Sequence, residues 1–384
     1  MSRPSHASLL DGLSEAPSVR FNNRIYEMKD TGADVITMSL GEAFFDISMP
    51  SFDGMPSADI HHYSHSRGVP LLRQKLAKHA SVDSGLPVDP DSEILVTAGS
   101  KLAIYMALTA VLEPGDEVII PEPAWVSYPD QVRMCRGVPV MVPWHEGYED
   151  PASYITPRTR AIVVNNPHNP TGRRLGTVEL QSLHDLAVKH SLFIIADEAY
   201  SEFLPKGERF ISADQFDPER DHTIVCKSMS KNYGISGWRI GYLIANRFMI
   251  EQINKLQQHI ITCAPTILSL YLAENYDMLR ETTRPQISRV VDVRNRMAEE
   301  LAARDIRCLP GDSTFYLFAS LGESRLNSED FATELLSRHK VAVVPGIGYG
   351  GTCDRFIRIA VGAEPEERLL RGIDAIASMI AATR

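Results

Sequence analysis

Through the middle of the chain, short apolar runs alternate with longer stretches of helical spacing, and Pro, Gly and Asn punctuate the joins. Ser100 to Leu112 has the period of a helix and stops at Pro114-Gly115. Glu117 to Ile120, Arg160 to Asn165, Leu192 to Ala196, His222 to Cys226 and Arg239 to Ala245 are too short for helices and read as strands. Between the second and third of them, Val178 to His190 returns to helical spacing. This alternation predicts an α/β fold with a mostly parallel central sheet sandwiched by helices, whose ligand crevice lies beyond the carboxyl ends of the strands.

After about residue 280 the pattern changes. A helix is expected from about Arg284 to Arg304, then strands near Thr314–Ala319, Val341–Val344 and Phe356–Val361, and a last helix from Glu366. This reads as a smaller α+β domain, joined by the N-terminal segment: 46–280 forms the large domain, and 1–45 with 281–384 the small one. The first 45 residues could pack within the same chain or cross to a second copy.

Composition narrows the function. With 384 residues, 44% of them hydrophobic and 23% charged, the chain can bury more than one core, which excludes disorder over most of its length. A formal charge of -10 has the wrong sign for nucleic-acid binding. No apolar run reaches the ~20 residues needed to cross a bilayer, so no membrane partner is expected. Met1 to Pro17 lacks the core of a signal peptide, and five cysteines without C-x-x-C spacing suit a reducing compartment; the expectation is a cytoplasmic protein.

Polar signals fall at three successive strand ends: Asn169-Pro-Thr-Gly172, Asp197-x-x-Tyr200 and Ser228-x-Ser-Lys231. Singly each has a bland reading, as a turn, a helix cap and a solvated lysine. In this order, with Gly237-Trp-Arg239-x-Gly241 following, they define a site. The run SMSKNYGISGWRIGY (Ser228 to Tyr242) resembles the cofactor-lysine segment of class I/II aminotransferases, the fold type I family dependent on pyridoxal 5'-phosphate. SLGE with Gly41, HHYSHSRG with Tyr63, TAGSK, PAWVSYP, NNPHNPTG, DEAY, VVPG and RIA extend the resemblance over nearly the whole chain.

The resemblance implies a role for each residue. Lys231 would hold the cofactor as an imine and, once displaced by substrate, shuttle the proton between Cα and the cofactor. Asp197 would keep the ring nitrogen protonated. Asn169 and Tyr200 would bond the ring's phenolic oxygen, and Trp125 would stack on the ring. Gly99, Ser100 and Lys101 would receive the phosphate at a helix start, assisted by Ser228 and Arg239, with Tyr63 reaching it from a second subunit of a homodimer. Arg358, helped by Gly41 and Asn169, would bind the substrate α-carboxylate, while Arg355 reads as a surface charge.

The expected activity is transfer of an amino group from an L-amino acid to a 2-oxo acid by a ping-pong mechanism. The alternative is a carbon–sulfur β-lyase, or another Cα-carbanion enzyme such as a cyclase or decarboxylase, because one scaffold supports them all. Lys101 gives a slight lean towards substrates with a distal carboxylate, although no second arginine for one can be assigned. Ser228-x-x-Lys231 also fits an acyl-enzyme pattern but lacks its companion motifs. Gly346-x-Gly348-x-x-Gly351 precedes a strand rather than a helix and reads as a flexible loop near substrate. His61, His62 and His65 lack a ligand cluster in sequence, so no metal is expected. A regulatory module on the same fold would need a DNA-binding domain, for which neither length nor charge leaves room.

Overall fold

The computed structural model describes residues 5–13, 15, 17–55, 57–143 and 151–384. Its strands are β1 (Ile36–Thr37), β2 (Ile94–Thr97), β3 (Glu117–Pro121), β4 (Val138–Val142), β5 (Thr159–Asn165), β6 (Phe193–Asp197), β7 (Thr223–Ser228), β8 (Gly241–Ile244), β9 (Tyr316–Ser320), β10 (Val341–Ala342), β11 (Val344–Pro345) and β12 (Phe356–Ala360). The helices are α1 (Pro17–Asp30), α2 (Ser57–Ile60), α3 (Pro70–Ser84), α4 (Ser100–Val111), α5 (Tyr128–Met134), α6 (Thr177–His190), α7 (Met229–Asn232), α8 (Arg247–Ile260), α9 (Thr266–Ala302), α10 (Ser328–His339) and α11 (Glu366–Ala382).

Seven strands form the main sheet in the order β2-β8-β7-β6-β5-β3-β4. β4, β3, β5, β6 and β7 pair in parallel, whereas β8 runs antiparallel to both neighbours. The central strands are buried on both faces, which accounts for their continuous Val/Ile runs. One face packs against an apolar cluster with Ile104, Leu108 and Ile250 from α4 and α8. The other packs against Leu72 and Leu76 of α3, Leu180 of α6 and Leu272 of α9. A three-stranded antiparallel sheet, β11-β12-β9, builds a separate core with α10 and α11, and β1 pairs in parallel with β10.

Two expectations need correction. The helix expected from Arg284 begins at Thr266 and runs 37 residues. Pro285 lies inside it on an exposed stretch, so the carbonyl it leaves without a donor can face water, and the helix continues where a buried proline would break it. The Gly346–Gly351 segment, expected as an irregular flexible loop, instead takes regular local structure as two 3₁₀ turns. The buried Glu122 carboxylate accepts from the Gly351 and Thr352 backbone N–H groups at 3.0 and 3.1 Å.

Candidate active site

Adjacent parallel strands end together and deliver three polar side chains to one crevice. Asn165 closes β5, Asp197 closes β6 opposite it, and Ser228 closes β7. The Asp197 carboxylate is buried, and it accepts from the Tyr128 hydroxyl at 2.6 Å and the Ala199 N–H at 3.2 Å. Burial raises its pKa to about 6, opposed by the Tyr128 and Ala199 hydrogen bonds and by the nearby Lys231 charge. Among the described residues it has no ion-pair partner.

Lys231 sits on α7, the single helical turn that follows β7 and is capped by the Ser228 hydroxyl, which accepts from the Ser230 N–H at 3.2 Å. The residue keeps some exposure to the crevice, but protein surrounds the amine, which donates to the Gly41 carbonyl at 2.6 Å. Burial lowers its pKa to about 8; Glu42 works against this, and Arg358, Arg239 and Lys101 add to it. It too has no carboxylate ion pair among the described residues.

Beside the lysine lies a cradle suited to an anion. α4 starts at Ser100 with Gly99 as its cap, and no side chain satisfies its first N–H groups. Gly99 has φ +86°, and a Cβ there would lie 2.4 Å from Arg239 Nη2. A Cβ on Gly241 would come within 2.5 Å of the Ser100 nitrogen. The guanidinium of Arg239 donates to the Ser236 carbonyl at 2.8 Å and faces the Ser230 hydroxyl at 3.4 Å, with no carboxylate partner among the described residues. At the crevice mouth the exposed Lys101 ammonium lies 5.0 Å from the centre of the Trp125 ring, its pKa lowered by desolvation and then by Arg239.

Across the crevice, β12 presents Arg358, buried between the rings of Tyr316 and Tyr349 at 4.4 and 5.6 Å. It donates to the Ser39 carbonyl at 2.7 Å and to Asn169 Oδ1 at 3.4 Å, while its Nε has no hydrogen-bond partner. The Tyr200 and Tyr316 hydroxyls meet at 3.0 Å. Gly41 lies beside this pair: a Cβ there would be 3.1 Å from the Tyr316 hydroxyl.

The sequence-expected residues Gly41, Gly99, Ser100, Lys101, Trp125, Asn169, Asp197, Tyr200, Ser228, Lys231, Arg239 and Arg358 thus gather around one crevice. Tyr63 does not join them within the chain; it is 81% exposed, and its neighbours His61 and His62 are exposed too. His65 Nδ1 accepts from the Arg67 N–H, and no group of metal-ligating side chains occurs among the described residues. Arg355 is exposed and bonds loop carbonyls, including that of Leu326 at 2.6 Å. Sequence reading missed Tyr128, Ser230, Tyr316 and Tyr349. Tyr128 lies three residues beyond Trp125 in PAWVSYP, but nothing in that run marks its contact with Asp197; the tyrosines around Arg358 become visible only when the second sheet docks.

A crevice at parallel strand ends, with an enclosed amine, a buried carboxylate, an anion cradle and a buried arginine, has the donor groups to hold small anions. The family model "Aminotransferase class I and II" matches residues 56–376, and the chain belongs to that family. It is 30% identical to an aspartate aminotransferase of Pyrococcus abyssi over 362 residues, covering 91% of this chain and 93% of that one. It is equally 30% identical to aromatic-amino-acid aminotransferase 2 of Thermococcus litoralis over 366 residues, covering 91% and 93%. Among solved structures, the Thermus thermophilus aspartate aminotransferase with maleate superposes with a TM-score of 0.87 at 28% identity, over 98% of this chain and all of that one. The protein is an aminotransferase of fold type I, an enzyme that transfers nitrogenous groups.

Proposed function

We propose that the crevice holds pyridoxal 5'-phosphate and carries an amino group from an L-amino acid to a 2-oxo acid in two half-reactions. The observation behind this reading is the pair Lys231 and Asp197: enclosed groups of opposite charge, neither with an ion-pair partner among the described residues. The residues present fit the cofactor. A buried carboxylate lacking a cation suits a protonated ring nitrogen, and the uncapped start of α4 with Arg239 and Ser228 suits a phosphate.

When bound, the group supplies an aldehyde that condenses with amines and a ring that draws electrons from the bond broken at Cα. The chain does the rest. Lys231 Nζ would hold the cofactor's aldehyde and, when free, is neutral often enough to serve as the base and acid for the Cα proton. Asp197 would accept from the protonated ring nitrogen, Tyr200 and Asn169 would bond the phenolic oxygen, and Trp125 would cover the ring. Arg358 grips the substrate α-carboxylate with two parallel donors, and Gly41 and Asn169 flank it.

Lys101 at the mouth favours a donor with a distal carboxylate, in keeping with the maleate, a dicarboxylate, of the Thermus thermophilus neighbour. Tyr63, Phe44 and Met49 are 81, 62 and 89% exposed, which supports a homodimer in which Tyr63 reaches the phosphate of the other subunit. The working division keeps 46–280 as the cofactor domain and 1–45 with 281–384 as the small domain. All five cysteines are free, which supports a reducing compartment, the cytoplasm, as the site of action.

A panel of amino donors, with and without 2-oxo acids, tests the reaction. Turnover that needs an added acceptor and is lost in Lys231→Ala supports transamination. Release of pyruvate and ammonia without an acceptor would instead establish a β-lyase.

A further inference from the structure

Two irregular loops flank the crevice: 122–127, which carries Trp125 between β3 and α5, and 166–172, which carries Asn169 between β5 and α6. No strand ladder joins them. The side chain of His168 does. Its Nδ1 lies 2.8 Å from the Thr171 hydroxyl, and the ring also hydrogen bonds the Pro123 carbonyl. The Thr171 oxygen accepts in turn from the Arg173 N–H at 3.1 Å.

Bond polarity follows from the partners. A carbonyl can only accept, so the nitrogen facing Pro123 carries the proton, and Nδ1 of the neutral ring accepts from the Thr171 hydroxyl. Part of the ring borders a cavity of about 250 Å³ shared with Tyr128 and Asn165, yet protein surrounds it deeply enough that burial, with Arg173 adding to it, holds the imidazole neutral at physiological pH.

We infer that His168 is a positioning residue, a neutral clamp that sets the Trp125 loop against the Asn169 loop. The inference rests on the proposed cofactor reading, since these two side chains would cover the ring and bond its oxygen. Each loop has further anchors of its own, among them the Ala124 N–H to the Tyr349 carbonyl at 2.7 Å and the Asn169 N–H to Asn165 Oδ1 at 2.7 Å. Neither of these anchors ties one loop to the other.

The test uses the holoenzyme. His168→Phe keeps a planar ring but loses both bonds; His168→Gln keeps an acceptor and a donor. Loss of two ordinary hydrogen bonds should weaken pyridoxal phosphate affinity about tenfold and reduce its visible circular dichroism, with His168→Gln within about threefold of the parent. Wild-type dichroism and affinity in His168→Phe, or a His168→Gln no better than His168→Phe, would overturn the clamp. Should His168→Phe not fold, nitrogen NMR of the parent decides: a ring neutral at pH 6 with the Nε2–H tautomer supports the clamp, and a charged ring or the other tautomer refutes it. Borohydride trapping on Lys231 in the same samples separates the two readings, because an adduct there leaves the cofactor assignment standing even if the clamp fails.

Discussion

Asp197 is pulled in two directions. Burial drives its carboxyl towards the neutral form, and the Tyr128 hydroxyl at 2.6 Å is the main force holding it ionised. A hydrogen bond to a charged group contributes roughly 1.5–3 kcal/mol. Tyr128→Phe should therefore lower kcat by about 10- to 100-fold, with KM changed little, in steady-state kinetics. Arg358→Ala should raise KM for every amino donor by a similar factor, since all share the α-carboxylate; Arg358→Lys should recover only part, lacking the fork of parallel donors. A KM change confined to one donor would remove Arg358 from the carboxylate site. Asp197, Lys231 and Arg358 were legible in sequence because each sits in an ordered series of motifs. Tyr128 was not, because its hydroxyl gains a task only when α5 brings it against the end of β6.

At the scale of elements, the start of α4 is tightly packed where the phosphate is proposed to sit. Gly99→Ala puts a side chain at a positive φ and into the Arg239 guanidinium. If the bound state must restore this backbone, the strain of about 1–2 kcal/mol should weaken cofactor affinity, followed by absorbance titration of the apo protein, about 5- to 30-fold while the fold persists. Unchanged affinity would show that this cap does not shape the phosphate cradle. Elements with strong local signals were read with boundaries within a residue or two: α4 was expected to end at Leu112 and ends at Val111, and α6 was expected from Val178 and begins at Thr177. β2 and β4 went unread: the first has only four residues, and the second contains Pro139. The antiparallel sense of β8 has no local signature, since the sequence Gly-Tyr-Leu-Ile would serve a strand of either direction.

At the scale of the molecule, the two enclosed charges make the cofactor-free protein sensitive to pH. Asp197 has a pKa near 6 when folded against an ordinary value of 3.8, so its contribution to stability is present below pH 4 and lost as pH rises through 6. Lys231 is depressed from 10.5 to about 8, so its penalty is full below pH 8 and fades above it. At neutral pH both oppose folding, the carboxyl by about 3 kcal/mol, and the proposed pyridoxal phosphate would relieve both on binding. The Tm difference between holo and apo protein should widen from pH 4 to pH 7, and Asp197→Asn should flatten that rise; a gap independent of pH would contradict the pairing. The proposed homodimer belongs to this scale too. Tyr63→Ala should weaken cofactor retention while sedimentation still reports a dimer, and retention equal to the parent would leave Tyr63 outside the site.

One primary amine, that of Lys231, carries the whole assignment. Reducing the holoenzyme with borohydride and mapping the adduct by peptide mass spectrometry addresses it directly. The expected result is a pyridoxyl phosphate mass on the peptide containing Lys231 and on no other; an adduct on a different lysine, or none, would contradict the assignment of the crevice.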